Sequence, residues 1–145
     1  MEKVKAKDFL RQHELSRAKI ETLEQEIANL YESTISAPIG DGQPRGTDIS
    51  DSTGKLASKI ADMKSETEYL WEQQQRIRRR VESVLLRLED TNDFRVCWKR
   101  YIDLKTWDEI AEEMDVTTTR TVQRIHGRAL LEVQKILDAE SEDEK

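Results

Sequence analysis

The sequence predicts an all-α protein, a long antiparallel helical hairpin (coiled coil) followed by a domain of shorter helices. Three observations predict it. Charged residues make up 37% of the 145 residues and apolar ones 36%, too few for a thick core but enough for helices with one apolar stripe each. The chain holds two prolines and five glycines, and four of the glycines fall between Gly40 and Gly54. No stretch alternates apolar and polar residues for long enough to suggest a strand.

The first helical segment is expected over Lys5 to Ser33. Ala6, Phe9, His13, Ser16, Ile20, Leu23, Ile27 and Leu30 recur at alternating steps of three and four, which is a heptad seam. The second is expected over Lys55 to Glu89, with the seam Leu56, Ile60, Met63, Thr67, Leu70, Gln74, Ile77, Val81, Val84 and Leu88. Between them, the flexible linker 34–54 holds both prolines and most of the glycines. Such a connection lets the two helices turn back and zip together, and it places His13 in a layer with Gln74. A seam alone does not set strand number, so pairing with a second copy, a homodimer, stays open. The expected organisation is a hairpin over 1–90, a second domain over 91–138 and an acidic disordered tail over 139–145.

Asp90-Thr91-Asn92-Asp93 interrupts the pattern, because such side chains compete for helix backbone and favour caps. A helix from Phe94 to about Asp103 follows, with Phe94, Cys97, Trp98 and Tyr101 on one side. Cys97 is the only cysteine. It excludes an internal disulfide, suggests a reducing compartment and reads as a packed small side chain. No apolar run suggests a signal peptide or a bilayer span, so a cytoplasmic protein without membrane contact is expected.

Thr106-Trp107-Asp108-Glu109 fits a capping box, in which the Thr106 hydroxyl takes the Glu109 amide and Glu109 reaches back. A short helix from Trp107 to Met114 should follow. Asp115-Val116 makes the turn and Thr117 caps a last helix from Thr118 to about Asp138. Trp107, Ile110, Ala111, Met114, Val116, Val122, Ile125 and Ala129 form the expected core. Ala111 matters because two crossing helices need a small residue at their closest approach. This constellation is a helix-turn-helix.

Net charge is −6, but the charges are unevenly placed. From Thr117 to Leu137 stand Arg120, Arg124, Arg128 and Lys135 against Glu132 alone. A helix lying in the major groove offers its N-terminal residues to base edges. Thr118, Thr119, Arg120, Gln123 and Arg124 are therefore the candidate base contacts. Arg100, Lys105, Thr106 and Arg128 are the candidate phosphate contacts, which supply affinity without sequence information. His126 suits either a phosphate or a packed position. The run Arg76 to Arg80 is either a second DNA contact or the outer face of the hairpin. A solvated row of arginines would look similar in isolation. The capped short helix, the small crossing residue and the tight turn favour DNA.

Thr106-Trp107-Asp108-Glu109-Ile110-Ala111, Asp115-Val116-Thr117 and Ala129-Leu130 resemble region 4 of bacterial sigma-70-class factors. Thr121-Val122-Gln123-Arg124-Ile125-His126-Gly127-Arg128-Ala129-Leu130 is more closely similar to the last helix of short phage and prophage transcriptional regulators of Gram-positive bacteria. Those proteins join an N-terminal coiled coil to a sigma-like helix-turn-helix. Ser36-Ala37-Pro38 and Pro44-Arg45-Gly46 resemble their loop. The likeness covers most of the chain and is strongest after Tyr69. It implies binding of double-stranded DNA and control of phage transcription. RNA polymerase, which sigma region 4 also binds, is the alternative partner, and a purely structural coiled coil is the third reading. One spacing departs from the pattern: Val116 to Val122 is one step longer than usual, so either the turn is longer or the helix starts at Thr119.

Other chemistries find little support. Leu56 follows Gly54-Lys55 where a phosphate-binding loop needs Ser or Thr. His13 and His126 lie on separate helices, and the lone cysteine gives no metal-ligand spacing. No enzyme activity, metal or cofactor is expected.

Overall fold

A computed structural model describes residues 4–35 and 48–143, and these are helical apart from short connections. In order they are α1 (Ala6–Ile35), α2 (Asp48–Leu85), α3 (Thr91–Cys97) running into a π-helical turn (Trp98–Ile102), α4 (Trp107–Glu113) and α5 (Thr119–Asp143). No helix among the described residues is long and apolar enough to cross a membrane. The expected linker 34–54 is corrected at its end: α2 begins at Asp48 and takes in Gly54, while 36–47 lie outside the described residues.

The described chain packs as two units, Met1–Ser16 with Gln74–Lys145, and Arg17–Gln73. The expected boundary at 90 is therefore not where packing divides. Ala6, Phe9 and Leu10 of α1 share one core with Val81, Val84 and Leu85 of α2, with Cys97, Tyr101 and Ile102, and with Ala129, Val133 and Leu137 of α5. Burying each large aliphatic side chain here is worth about 1.5–3 kcal/mol, so this cluster binds four segments into one cooperative body. His13 and Gln74 are both buried in this unit. Leu10 and Leu85 lie outside the expected seams yet are fully buried, because helices packed on more than one neighbour need a stripe wider than a heptad seam.

In the second unit Ile20, Ile60 and Thr67 are buried, and Leu23, Ile27, Leu30, Leu56, Met63 and Leu70 are half-buried. The expected seam positions are thus the shielded ones. Polar bonds flank them: Trp71 Nε1 donates to Glu24 at 3.0 Å, and Lys64 Nζ to Tyr31 Oη at 2.5 Å.

Helix α3 starts at Thr91 rather than Phe94 because Asp90 caps it, its carboxylate accepting from the amides of Asn92 (2.9 Å) and Asp93 (3.1 Å). The helix then widens, the Asp103 amide reaching back to the Trp98 carbonyl at 3.1 Å. Tyr101 and Ile102 are buried within this turn. Leu104, with φ 57°, redirects the chain toward α4. That is an uncommon conformation for a residue with a bulky side chain.

The expected acidic tail 139–145 is also corrected, since α5 continues to Asp143. Glu140 lies against Arg80 (2.5 Å) and Arg87 (2.7 Å), and those guanidiniums hold its carboxyl below the usual range. Paired in this way, an acidic residue near a helix C-terminus no longer opposes the dipole unaided. Further up the same helix, Gln134 Oε1 accepts from the Ala6 amide at 2.8 Å, and its Nε2 donates to the Val4 carbonyl at 2.9 Å. The first free N–H of α1 is therefore capped by a side chain from the far end of the sequence.

Candidate nucleic-acid interface

Helix α4, the turn after it and α5 build the site. The capping box is present: the Glu109 amide donates to Thr106 Oγ1 at 3.2 Å, and the Thr106 amide to Glu109 Oε2 at 3.3 Å. The helix ends in a left-handed residue, Asp115, with φ 56°. The Val116 amide reaches the Ala111 carbonyl at 3.0 Å and the Asp115 amide reaches that of Glu112 at 3.2 Å. These two bonds form a Schellman motif, whose hydrophobic partner is the residue after the left-handed one. Here that residue is Val116, half-buried against the small core.

That core consists of Val96, Ile110, Ala111 and Val122, with Trp107, Met114, Val116 and Ile125 packed against it. Seven of the eight expected core residues are therefore here. Ala129 is the correction: it is buried, but in the other cluster, beside Cys97 and Tyr101. Val96 escaped the sequence reading because α3 buries two stripes, one toward each cluster, and only the aromatic stripe was visible. The long step from Val116 to Val122 is absorbed before the helix, since α5 begins at Thr119. Thr118, not Thr117, is the residue that directly precedes it, and its hydroxyl lies 3.3 Å from that of Thr121.

The candidate base contacts divide clearly. Thr118, Arg120, Gln123 and Arg124 are exposed, and Thr119 is half-buried. Among the described residues the side chains of Arg120, Gln123 and Arg124 make no hydrogen bond or ion pair. They share the side of α5 opposite Val122 and Ala129, which are fully buried.

The candidate phosphate contacts are nearly all engaged within the chain. The Arg100 guanidinium lies over the Trp107 ring at 4.5 Å and donates to the Lys105 carbonyl at 3.0 Å. Lys105 bonds Glu113, which also receives Lys99 at 3.2 Å. The hydrogen bond that Lys105 donates to Glu113 holds the Glu113 carboxyl below its ordinary range and raises the Lys105 ammonium. The Thr106 hydroxyl serves the cap. Arg128 is engaged most firmly: its Nε and Nη2 lie 3.1 and 2.8 Å from one oxygen of Asp93. Asp93 is only 2% exposed, so this two-nitrogen grip on one oxygen partners a buried carboxylate and ties α5 to α3.

His126 takes the packed alternative rather than the phosphate one. Its Nε2 lies 2.5 Å from Tyr101 Oη, and its ring meets Trp107 edge-on at 4.8 Å. Burial, then the nearby charges of Lys7 and Arg100, push the imidazole down to about 4, so it is neutral at physiological pH. Burial raises the Cys97 thiol to about 12, with Asp93 adding to the effect, consistent with a packed thiol rather than a nucleophile.

No group of three or more His, Cys, Asp or Glu side chains able to hold a metal occurs among the described residues. The arrangement offers an exposed cationic helix edge on a rigid support. No family model, no curated protein and no solved structure matches the chain.

Proposed function

We propose that this chain is a sequence-specific DNA-binding transcription regulator of the phage or prophage type, reading the major groove with the helix that starts at Thr119. The observation that carries the reading is the free row of Arg120, Gln123 and Arg124, exposed on the N-terminal turns of α5. Lys99, Lys105 and Arg128 are paired with carboxylates, whereas these two arginines form no ion pair among the described residues. Arginine can grip guanine with two bonds, glutamine can grip adenine, and a threonine methyl can meet that of thymine. Phosphate contact falls to Lys99 and Lys105, whose surface pair with Glu113 is weak enough to exchange for a phosphate.

The hairpin belongs to the same proposal. Glu24 meets Trp71 and Tyr31 meets Lys64, so one number rises as the other falls, as in antiparallel helices. A dimer formed through exposed parts of that hairpin would read a palindrome with half-sites about one helical turn apart.

Selection of bound duplexes from random DNA, followed by a salt titration, tests the reading. A groove reader enriches one motif and loses affinity steeply as salt rises. Enrichment of no motif, with tight binding to RNA polymerase instead, would replace it by the adaptor reading.

A further inference from the structure

Helix α5 carries a glycine in its interior, Gly127. After proline, glycine is the residue least suited to that place. Among the described residues no crowding asks for it. Its backbone is ordinary helix, and a Cβ built there would meet no atom within 4 Å. Gly127 is exposed and continues the stripe of Arg120 and Arg124, at successive steps of four and three. A residue that weakens its own helix, relieves no internal crowding and lies in line with two unpaired cations leaves room for something outside the chain.

We propose that Gly127 is the point where α5 comes into van der Waals contact with the sugar–phosphate backbone of duplex DNA, so that the bare helix lets Arg120 and Arg124 reach deeper into the groove. The inference rests on the reading of α5 as the DNA-reading helix. At 1.5 Å per residue Gly127 lies about 5 Å beyond Arg124 and about 10 Å beyond Arg120 along the axis. The major groove is about 12 Å wide. A helix with its first two turns in the groove therefore meets the phosphate wall near its third turn, where a side chain would hold the axis away. The two unpaired arginines on the same stripe are complementary to phosphate, which favours DNA over a second copy of this cationic edge. Contact with the backbone is blind to sequence, so Gly127 sets the depth of insertion while Arg120, Gln123 and Arg124 set preference.

The test uses the full chain, thermal melts, and fluorescence anisotropy with the selected site and with a mixed-sequence duplex of about three helical turns. Gly127→Ala should raise Tm by roughly 3 °C, because alanine favours the helix. It should weaken binding to both duplexes by about tenfold, the cost of one overpacked contact. Gly54→Ala, in α2, is the control: its Cβ also meets nothing within 4 Å, and it should raise Tm without touching affinity. Unchanged binding by Gly127→Ala overturns the inference. So does a fall in Tm, which would assign the glycine to the fold. A changed oligomeric state with intact DNA affinity overturns it in favour of a second copy. Arg124→Ala separates the two levels. If it weakens binding and Gly127→Ala does not, only the glycine assignment fails; if neither does, the DNA reading fails and takes this inference with it.

Discussion

From Thr119 to Gly127 the exposed side of α5 carries Arg120, Gln123 and Arg124, whose side chains have no polar partner among the described residues. From Arg128 to Glu140 every charged side chain except Asp138 forms an ion pair, and Asp138 accepts from Gln134 at 3.1 Å. Arg128 grips Asp93, Lys135 meets Glu132, and Glu140 bridges Arg80 and Arg87. The apolar side follows the same division. The first half buries Val122 in the small core, while the second buries Ala129, Val133 and Leu137 in the large one. One continuous helix is thus anchored by its second half and presents its first. Polar bonds between exposed groups add little stability singly, but those of the second half fix where the first half points.

The largest effect should come from breaking the anchor. Val133→Asp places a carboxylate in the fully buried cluster and should cost on the order of 4 kcal/mol or more, seen as loss of the cooperative thermal transition. Next comes a pair of arginines with opposite expected phenotypes. Arg124→Ala should weaken specific DNA binding by roughly 1–3 kcal/mol while leaving the melting temperature almost unchanged. Arg128→Ala should lower the melting temperature, because it strands the buried Asp93 carboxylate, and should leave base preference intact. If the two variants behaved alike, the contrast between the halves would collapse.

His126 sits at the changeover and gives a smaller, pH-dependent effect. Its value of about 4 in the folded protein lies below the ordinary 6.5. Above the ordinary value neither state carries the proton. Between the two values the unfolded chain binds a proton that the folded one refuses, so stability falls as pH drops through that window. His126→Gln, which can keep a hydrogen bond to Tyr101, should flatten this part of the curve of melting temperature against pH. A curve with the same slope as the parent would mean that the ring titrates freely. The smallest change is expected at the turn. Asp115→Gly relieves a left-handed residue at φ 56° and should stabilise the domain by about 0.5–1 kcal/mol without altering DNA affinity.

The heptad seams were legible in the sequence because a helix with one shielded side must repeat its apolar residues with the helical period. The expected seam from His13 to Leu30 and from Leu56 to Leu88 is the side that the structure shields. The capping box at Thr106 was legible because its partners stand three residues apart and need nothing else. The small core was legible except for Val96, whose stripe was hidden behind the aromatic one on the same short helix. What could not be read was partner choice. Arg128 offered itself to a phosphate as plausibly as to Asp93, which stands 35 residues away, and sequence spacing does not distinguish them.

The sequence by itself determined the helical class, the apolar stripes, the caps and the row of residues that α5 could offer. Each of these depends on neighbours within a turn or two of the chain, where bond geometry fixes the distances. Tertiary structure alone decided which arginines stayed free, that the acidic end became helix, and that both ends of α5 answer to different cores. Those outcomes depend on charges and surfaces brought together from distant segments, and a Coulomb pair or a buried contact exists only once the fold has closed the distance.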